Sequence, residues 1–523
     1  MPILQSSKVN KWIVSLLIFF TLISASLHFY KVQNLCLNED EAAQGYNTYS
    51  VLKTGRDEYG NLPLRYLSFG ENKLPLTGLL SAPFIAMFGL NELTVRLPVM
   101  IIGSLFPILF YFASYAIFRN KIIGLFAAFF ASTNVWLQTT SRHQHEAVII
   151  AAIVLLYITT LFHQKTLSFK RVLILGLLSF LGLYTYHSGK IIIPSLAIFT
   201  VMYVFLNTGG ETKSRLRNMA IATATLLLGI LLFTSTELMI PTNRLSNLSY
   251  FTNPAFTYEI QEGRRNGGSA IFYNKPVYGT YKILSRMVGY ISPDFLLWKN
   301  DPNPRYGASY LPLMTIVEYI LFVLGMLWGL SQLKKKHSFG IIFLYFFTLV
   351  SVIPAALALP EYSNTRSYLA LIPLIIFSSI GLYSLAHYLK KNKYALLTLT
   401  SLLIATHIFF VYGNWNKYFN TYLNDPKTKL SWQCGMKEVA TKAWQNYDKF
   451  DKIYIDNSLG QAYIYLLFYG GPYSPSKYQK VAKTMPYNEY GFWEQESFDK
   501  FVFIKNEPAR KLMDNEFYIK RSE

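Results

Sequence analysis

Charge is scarce in this chain. Only 15 % of its 523 residues are Asp, Glu, Lys or Arg, against about 25 % in soluble domains, and that deficit excludes an ordinary soluble protein. Acids are the scarcer sign, with 29 Asp and Glu against 49 Lys and Arg. Cysteine is scarcer still. Cys36 and Cys434 are too few for a disulfide framework or a cysteine-rich metal site. If both lie outside the cytoplasm they could pair, but two unrelated thiols are the plainer expectation. No Gly-rich loop follows a strand in the short basic connections, which argues against an ATP-driven machine. Nor is an internal repeat or low-complexity tract visible.

What the chain has in abundance is apolar surface, 52 % hydrophobic and 16 % aromatic. Its apolar runs reach about 20 residues, enough to cross a bilayer core of about 30 Å as a helix. Eleven spans are expected near residues 12–30, 95–118, 121–139, 146–162, 171–186, 190–206, 218–238, 311–331, 339–358, 367–389 and 394–412. The first has basic flanks but no small-residue cleavage motif, so it reads as an anchor rather than a leader.

The formal charge of +20 would suggest nucleic acid in a soluble chain. Here the cations gather in short loops between spans. With a cytoplasmic N-terminus, one set of loops holds Lys8, Lys11, Arg119, Lys121, Lys165, Lys170, Arg171, Lys213, Arg215, Arg217, Lys334, Lys335, Lys336, Lys390, Lys391 and Lys393. The short loops of the opposite set hold only Arg142, Lys190 and Arg366, so the positive-inside bias fixes the orientation. The long polar segments 31–94, 239–310 and 414–523 then all fall on the outer face, where chemistry is expected. Within the last, Gly435 to Tyr447 has helical spacing, Lys452 to Asp456 reads as a strand, Gln461 to Tyr469 as a helix, and Phe501 to Ile504 and Phe517 to Lys520 as strands. The expected organisation is a membrane domain over 1–413 and a small extracytoplasmic α/β domain over 414–523.

The first outer loop opens Asn38-Glu39-Asp40-Glu41 and continues as a helical pattern to Gly55. Asn38 suits an N-cap and the acids suit the first turn, so these residues could be purely structural. A second acidic site, Ser141-Arg142-His143-Gln144-His145-Glu146, sits between two spans at the same face, and Glu146 opens an apolar helix where an ion is costly unless paired or functional. His143, His145 and Glu146 carry metal-ligating groups without a clear further ligand. A divalent metal stays open, and polar loop residues are the simpler reading. Lys73, Arg96, Arg142 and Arg366 add cations to this face, a placement that suits a phosphate-bearing lipid as well as ordinary headgroups.

These residues resemble the GT-C membrane glycosyltransferases, particularly glycosyltransferase family 39, which includes protein O-mannosyltransferases and the lipid A aminoarabinose transferase. The resemblance rests on Asp40-Glu41-Ala42 after the first span, the turn from Gly55 to Gly60, and Lys73-Leu74-Pro75-Leu76. Arg96-Leu97-Pro98, Ser141-Arg142 with Glu146, Tyr184-Thr185-Tyr186 and the Arg366 region complete it. Leu74 stands where Pro is common, and Glu146 where several relatives have Asp. The resemblance implies a GT-C-like polytopic α-helical protein with about 11 transmembrane helices in the plasma (inner) membrane. It implies transfer of a hexose or pentose from a polyprenyl-phosphate donor to an acceptor on the outer face. The C-terminal α/β domain does not resemble the sugar-binding repeats of eukaryotic protein mannosyltransferases, so a lipid, glycan or protein acceptor stays open. Asp40 would be the general base, Glu41 and Glu146 would orient sugar or acceptor, and Lys73, Arg96, Arg142 and Arg366 would bind the donor phosphate. The rival classes are a transporter or lipid flippase, which usually places ionisable groups near the midplane, and a membrane scaffold with an outer binding domain.

Overall fold

The computed structural model describes residues 11–163, 168–207, 249–333, 339–470, 473–481, 492–508 and 511–520, with single positions between 220 and 234. Most of the expected span 218–238 lies outside the described residues, as do Lys8, Lys165, Lys213, Arg215, Arg217, Lys334, Lys335 and Lys336.

The chain begins with α1 (Lys11–Phe29) and α2 (Glu39–Thr54), then the hairpin β1 (Tyr66–Ser68) and β2 (Glu71–Lys73). Helices α3 (Leu76–Phe88), α4 (Glu92–Ser104), α5 (Phe106–Phe118), α6 (Lys121–Thr133), α7 (Val135–Thr140), α8 (Glu146–Phe162), α9 (Phe169–Leu183) and α10 (Gly189–Asn207) follow. Beyond them come α11 (Pro254–Arg265), α12 (Lys275–Ile291), α13 (Ile316–Gln332), α14 (Phe339–Ala356), α15 (Leu371–Leu389) and α16 (Lys393–Asn420). The C-terminal part holds α17 (Pro426–Ser431), α18 (Met436–Gln445), β3 (Lys452–Asp456), α19 (Ala462–Tyr469), α20 (Pro475–Val481), β4 (Ser497–Phe498), β5 (Phe501–Ile504) and β6 (Glu516–Ile519).

These elements form two compact units. The membrane unit is Met1–Tyr30, Val99–Ser235 and Leu248–Tyr422, and the mixed unit is Lys31–Pro98, Thr236–Asn247 and Leu423–Glu523. Among the described residues, six helices are long and apolar enough to cross a membrane, starting at Lys11, Glu92, Gly189, Phe339, Tyr368 and Lys393. Shorter apolar helices span Leu76–Phe88, Lys121–Thr133, Glu146–Phe162 and Ile316–Gln332. The molecule is therefore a polytopic helical membrane protein. The expected span 121–139 is interrupted at Asn134, which caps α7 by accepting from Leu137 N and donates to Glu318 (3.0 Å). α13 and α15 approach backbone to backbone, because Gly325 faces the carbonyl of Phe377 and Gly381 that of Leu321, with no room for a Cβ at either position. Such small-residue contacts are how membrane helices gain close packing without a hydrophobic driving force.

In the mixed unit the sheet order is β4-β5-β3-β6, with β3 parallel to both β5 and β6 and β4 antiparallel to β5. The central strand β3 buries Ile453 and Ile455 in a core with Val439, Ala443, Ile464, Leu467 and Phe501. Ala42, Ala43 and Tyr46 of α2 belong to this same core. The first outer segment and the C-terminal sheet thus fold as one body. Its start is tied at Cys36, which forms a disulfide with Cys434 (Cα–Cα 5.3 Å). This corrects the expectation of two unrelated thiols. Sequence position alone could not bring together residues 398 apart. One apolar helix, α3, lies inside the segment read from sequence as an outer loop. Its 13 residues fall short of a window of about 19, and polar neighbours dilute it.

Candidate active site

The mixed unit builds its acidic site from the N-terminus of α2. Asn38 accepts from Asp40 N (2.9 Å) and Glu41 N (3.1 Å), and Glu41 Oε2 closes a capping box onto Asn38 N (3.3 Å). That fixes the first turn, and the helical rotation of about 100° per residue sends neighbouring carboxylates to different places. Glu41 turns inward. Its oxygens take a bidentate fork from Arg96 (Nε 2.8 Å, Nη2 2.7 Å), and Arg96 spends its other donors on the carbonyls of Leu35 (2.8 Å) and Cys36 (2.8 Å). Both side chains are fully buried, so the pair clamps the chain just ahead of Asp40. Asp40 turns outward, with its side chain 49 % exposed and in an ion pair with Lys73 from the end of β2. Lys73 is itself buried, and its ammonium lies 4.7 Å from the centroid of the Phe69 ring.

Two acids here gave no functional signal in the sequence, where they read only as part of a turn. Asp57 accepts from the backbone of Tyr59 (3.0 Å), Asn61 (2.7 Å) and Leu67 (3.1 Å), which shapes the loop into the hairpin. Glu58 is fully buried. It accepts from Ser68 Oγ (2.6 Å), which in turn accepts from Asn47 on α2 (2.8 Å), while Glu58 Oε2 has no hydrogen-bond partner among the described residues. Burial pushes the Glu58 carboxyl up to about 8. A buried acid of this kind is a candidate for holding a proton at neutral pH.

The second acidic segment lies in the membrane unit. Arg142 is fully buried and donates to the carbonyls of Leu27 and His28 (3.2 Å) at the end of α1 and of Tyr30 (2.8 Å) just past it, with its guanidinium over the rings of Tyr418 and Phe419. It neutralises a helix C-terminus. His145 caps α8 by accepting from Ala147 N (3.1 Å), and Glu146 Oε2 lies 3.8 Å from His145 Nδ1. The rings of His143 and His145 meet at 5.7 Å, with Tyr306 within 6.2 Å of both. Among the described residues, no group of three or more His, Cys, Asp or Glu side chains is placed to hold a metal ion. Arg366 is half-buried and donates to Leu359 O. Nearby, Asp301 accepts from Asn303 N (2.9 Å) and Asn364 N (2.9 Å), and burial raises it to about 6. The structure thus joins Asp40 to Lys73 and Glu41 to Arg96 in one unit, and places Arg142, Glu146 and Arg366 in the other.

No protein-family model matches the chain, and no curated protein does. Among solved structures, it is similar to the archaeal oligosaccharyltransferase AglB from Archaeoglobus fulgidus, in complex with an inhibitory peptide and a dolichol-phosphate (TM-score 0.56, 16 % identity, 90 % of this chain and 65 % of that one). It is also similar to ArnT, an aminoarabinose transferase, from Cupriavidus metallidurans in the apo state (TM-score 0.51, 9 % identity, 88 % of this chain and 85 % of that one). The chain has the GT-C fold. An A. fulgidus oligosaccharyltransferase in complex with Zn and sulfate gives a TM-score of 0.50 at 13 % identity, over 88 % of this chain and 62 % of that one. The chain therefore spans slightly less than two thirds of the archaeal enzymes' length. At these identities the shared property is the GT-C fold.

Proposed function

We propose that this protein is an integral membrane glycosyltransferase that moves a sugar from a polyprenyl-phosphate donor to an acceptor on the outer face. The observation that carries this reading is a half-exposed carboxylate, Asp40, held against a buried lysine on a GT-C fold. In the proposed inverting step Asp40 takes the acceptor hydroxyl proton as its oxygen attacks the anomeric carbon. The anomeric carbon–phosphate oxygen bond breaks, and polyprenyl phosphate leaves with the electron pair. Lys73 offsets the charge that grows on that phosphate. Glu41 and Arg96, fully buried and engaged with each other and with backbone carbonyls, act by holding the backbone beside Asp40 rather than by touching substrate.

The same reading places the N-terminus in the cytoplasm and the mixed unit outside. The Cys36–Cys434 disulfide supports that side, since disulfides persist in oxidising compartments. The test is incubation of membranes with radiolabelled polyprenyl-phosphate hexoses and pentoses. Label should pass to an acceptor with the wild-type protein and not with Asp40→Asn. Lipid scrambling in vesicles without any sugar transfer would instead establish a flippase.

A further inference from the structure

Helix α12 has two faces with different surroundings. Tyr278, Gly279, Arg286 and Tyr290 are buried, and Gly279 lets that face close on Phe251, which a Cβ would meet at 2.8 Å. On the other side Val277, Tyr281, Leu284 and Val288 are 44 to 64 % exposed. Their spacing of four, three and four residues puts them in one stripe along the helix.

The attachment of the buried face locates the helix. Arg286 donates to Ala358 O and Pro360 O (2.9 Å), just past the end of α14, and its guanidinium lies 5.1 Å from the Tyr250 ring centroid. α14 is long and apolar enough to span a membrane, so its end marks the edge of the bilayer. Fixed there, an apolar stripe meets lipid before it meets bulk water. The charges agree with that position. Lys282 pairs with Glu259 (2.8 Å) and Lys299 with Asp294 (2.7 Å), and the exposed ionic groups on α11 and the start of α12 are then Glu262 against Arg264, Arg265 and Lys275. That excess suits anionic headgroups.

We propose that α12 is an interfacial helix whose Val277–Tyr281–Leu284–Val288 stripe lies among the lipid acyl chains just beneath the headgroups. Its occupant is the bilayer, not a protein partner. A helix of mixed polarity with one apolar stripe binds at this depth rather than spanning.

The test uses the full chain reconstituted in vesicles of phosphatidylcholine and phosphatidylglycerol. Leu284→Cys is labelled with an environment-sensitive fluorophore. The two native cysteines are in a disulfide, so the label reports the new site. Val288→Cys is a second probe should the first lower the yield of folded protein. Lipids with a spin label high on the acyl chain should quench the probe about 2-fold more than lipids labelled near the chain end, and aqueous iodide should quench it several-fold less than a free dye–cysteine adduct. Iodide quenching equal to that of the free adduct would place the stripe in water and overturn the proposal. Protection from both quenchers would overturn it equally, in favour of a covering protein.

Discussion

Asp40 and Glu41 are neighbours in sequence and opposites in environment. Their removal should therefore have opposite signatures. Asp40→Asn keeps shape at a half-exposed site and leaves buried Lys73 an amide oxygen to donate to, so melting temperature should fall, but less than for Glu41→Gln, where both partners are buried. Sugar transfer should fall by at least about 100-fold if Asp40 is the base, and near wild-type transfer would remove it from that role. Glu41→Gln leaves Arg96 charged in a buried site, a change that costs about 3–5 kcal/mol. Loss of folded protein in a detergent thermal-shift assay is the expected result. Burial of Glu58 makes stability fall as pH rises. Its carboxyl ordinarily ionises at 4.5 but does so at about 8 when folded, so its contribution is fully present below the lower value and is lost as pH rises toward the upper one. The melting temperature of wild type relative to Glu58→Gln should fall between about pH 5 and pH 8 and level off above. A difference independent of pH would show that Glu58 is ionised throughout. At this scale the sequence displayed the capping box and the acids, because both are local. It did not display that Arg96 belongs to Glu41, since the two meet only through tertiary packing.

At the level of elements, periodicity and capping carried most of the information. β3, β5, α18 and α19 lie close to their expected positions, and β6 is displaced by one residue, from Phe517–Lys520 to Glu516–Ile519. The hairpin β1–β2 escaped because three-residue strands are too short to show alternation. It is nonetheless the element that delivers Lys73 to Asp40. The close crossing of α13 and α15 was equally invisible, as a glycine in an apolar run looks alike whether it faces lipid or a carbonyl. Gly381→Leu should force those helices apart and lower the detergent melting temperature by several degrees, an overpacking cost of about 1–3 kcal/mol. An unchanged transition would mean that the helices can separate freely.

For the whole molecule, charge asymmetry predicts orientation without reference to any single contact. A cysteine placed near Lys391 should resist an impermeant thiol reagent on intact cells and react after permeabilisation, and strong labelling of intact cells would reverse every surface assignment. What sequence order could not convey is that Lys31–Pro98 and Leu423–Glu523 share one body, with Glu39 and Gln433 exchanging reciprocal hydrogen bonds (2.9 and 2.8 Å). This arrangement sets a timetable for biosynthesis. Cys36 is made early, but its partner follows 398 residues later, after every intervening helix has been inserted. Until then the apolar face of α2 lacks α19 and α20, the C-terminal helices that cover it. The segment bearing Asp40 must wait, its thiol unpaired with Cys434 and its packing incomplete, for the last fifth of the chain to be made, so formation of this one bond marks the moment at which the proposed catalytic acid acquires its final setting.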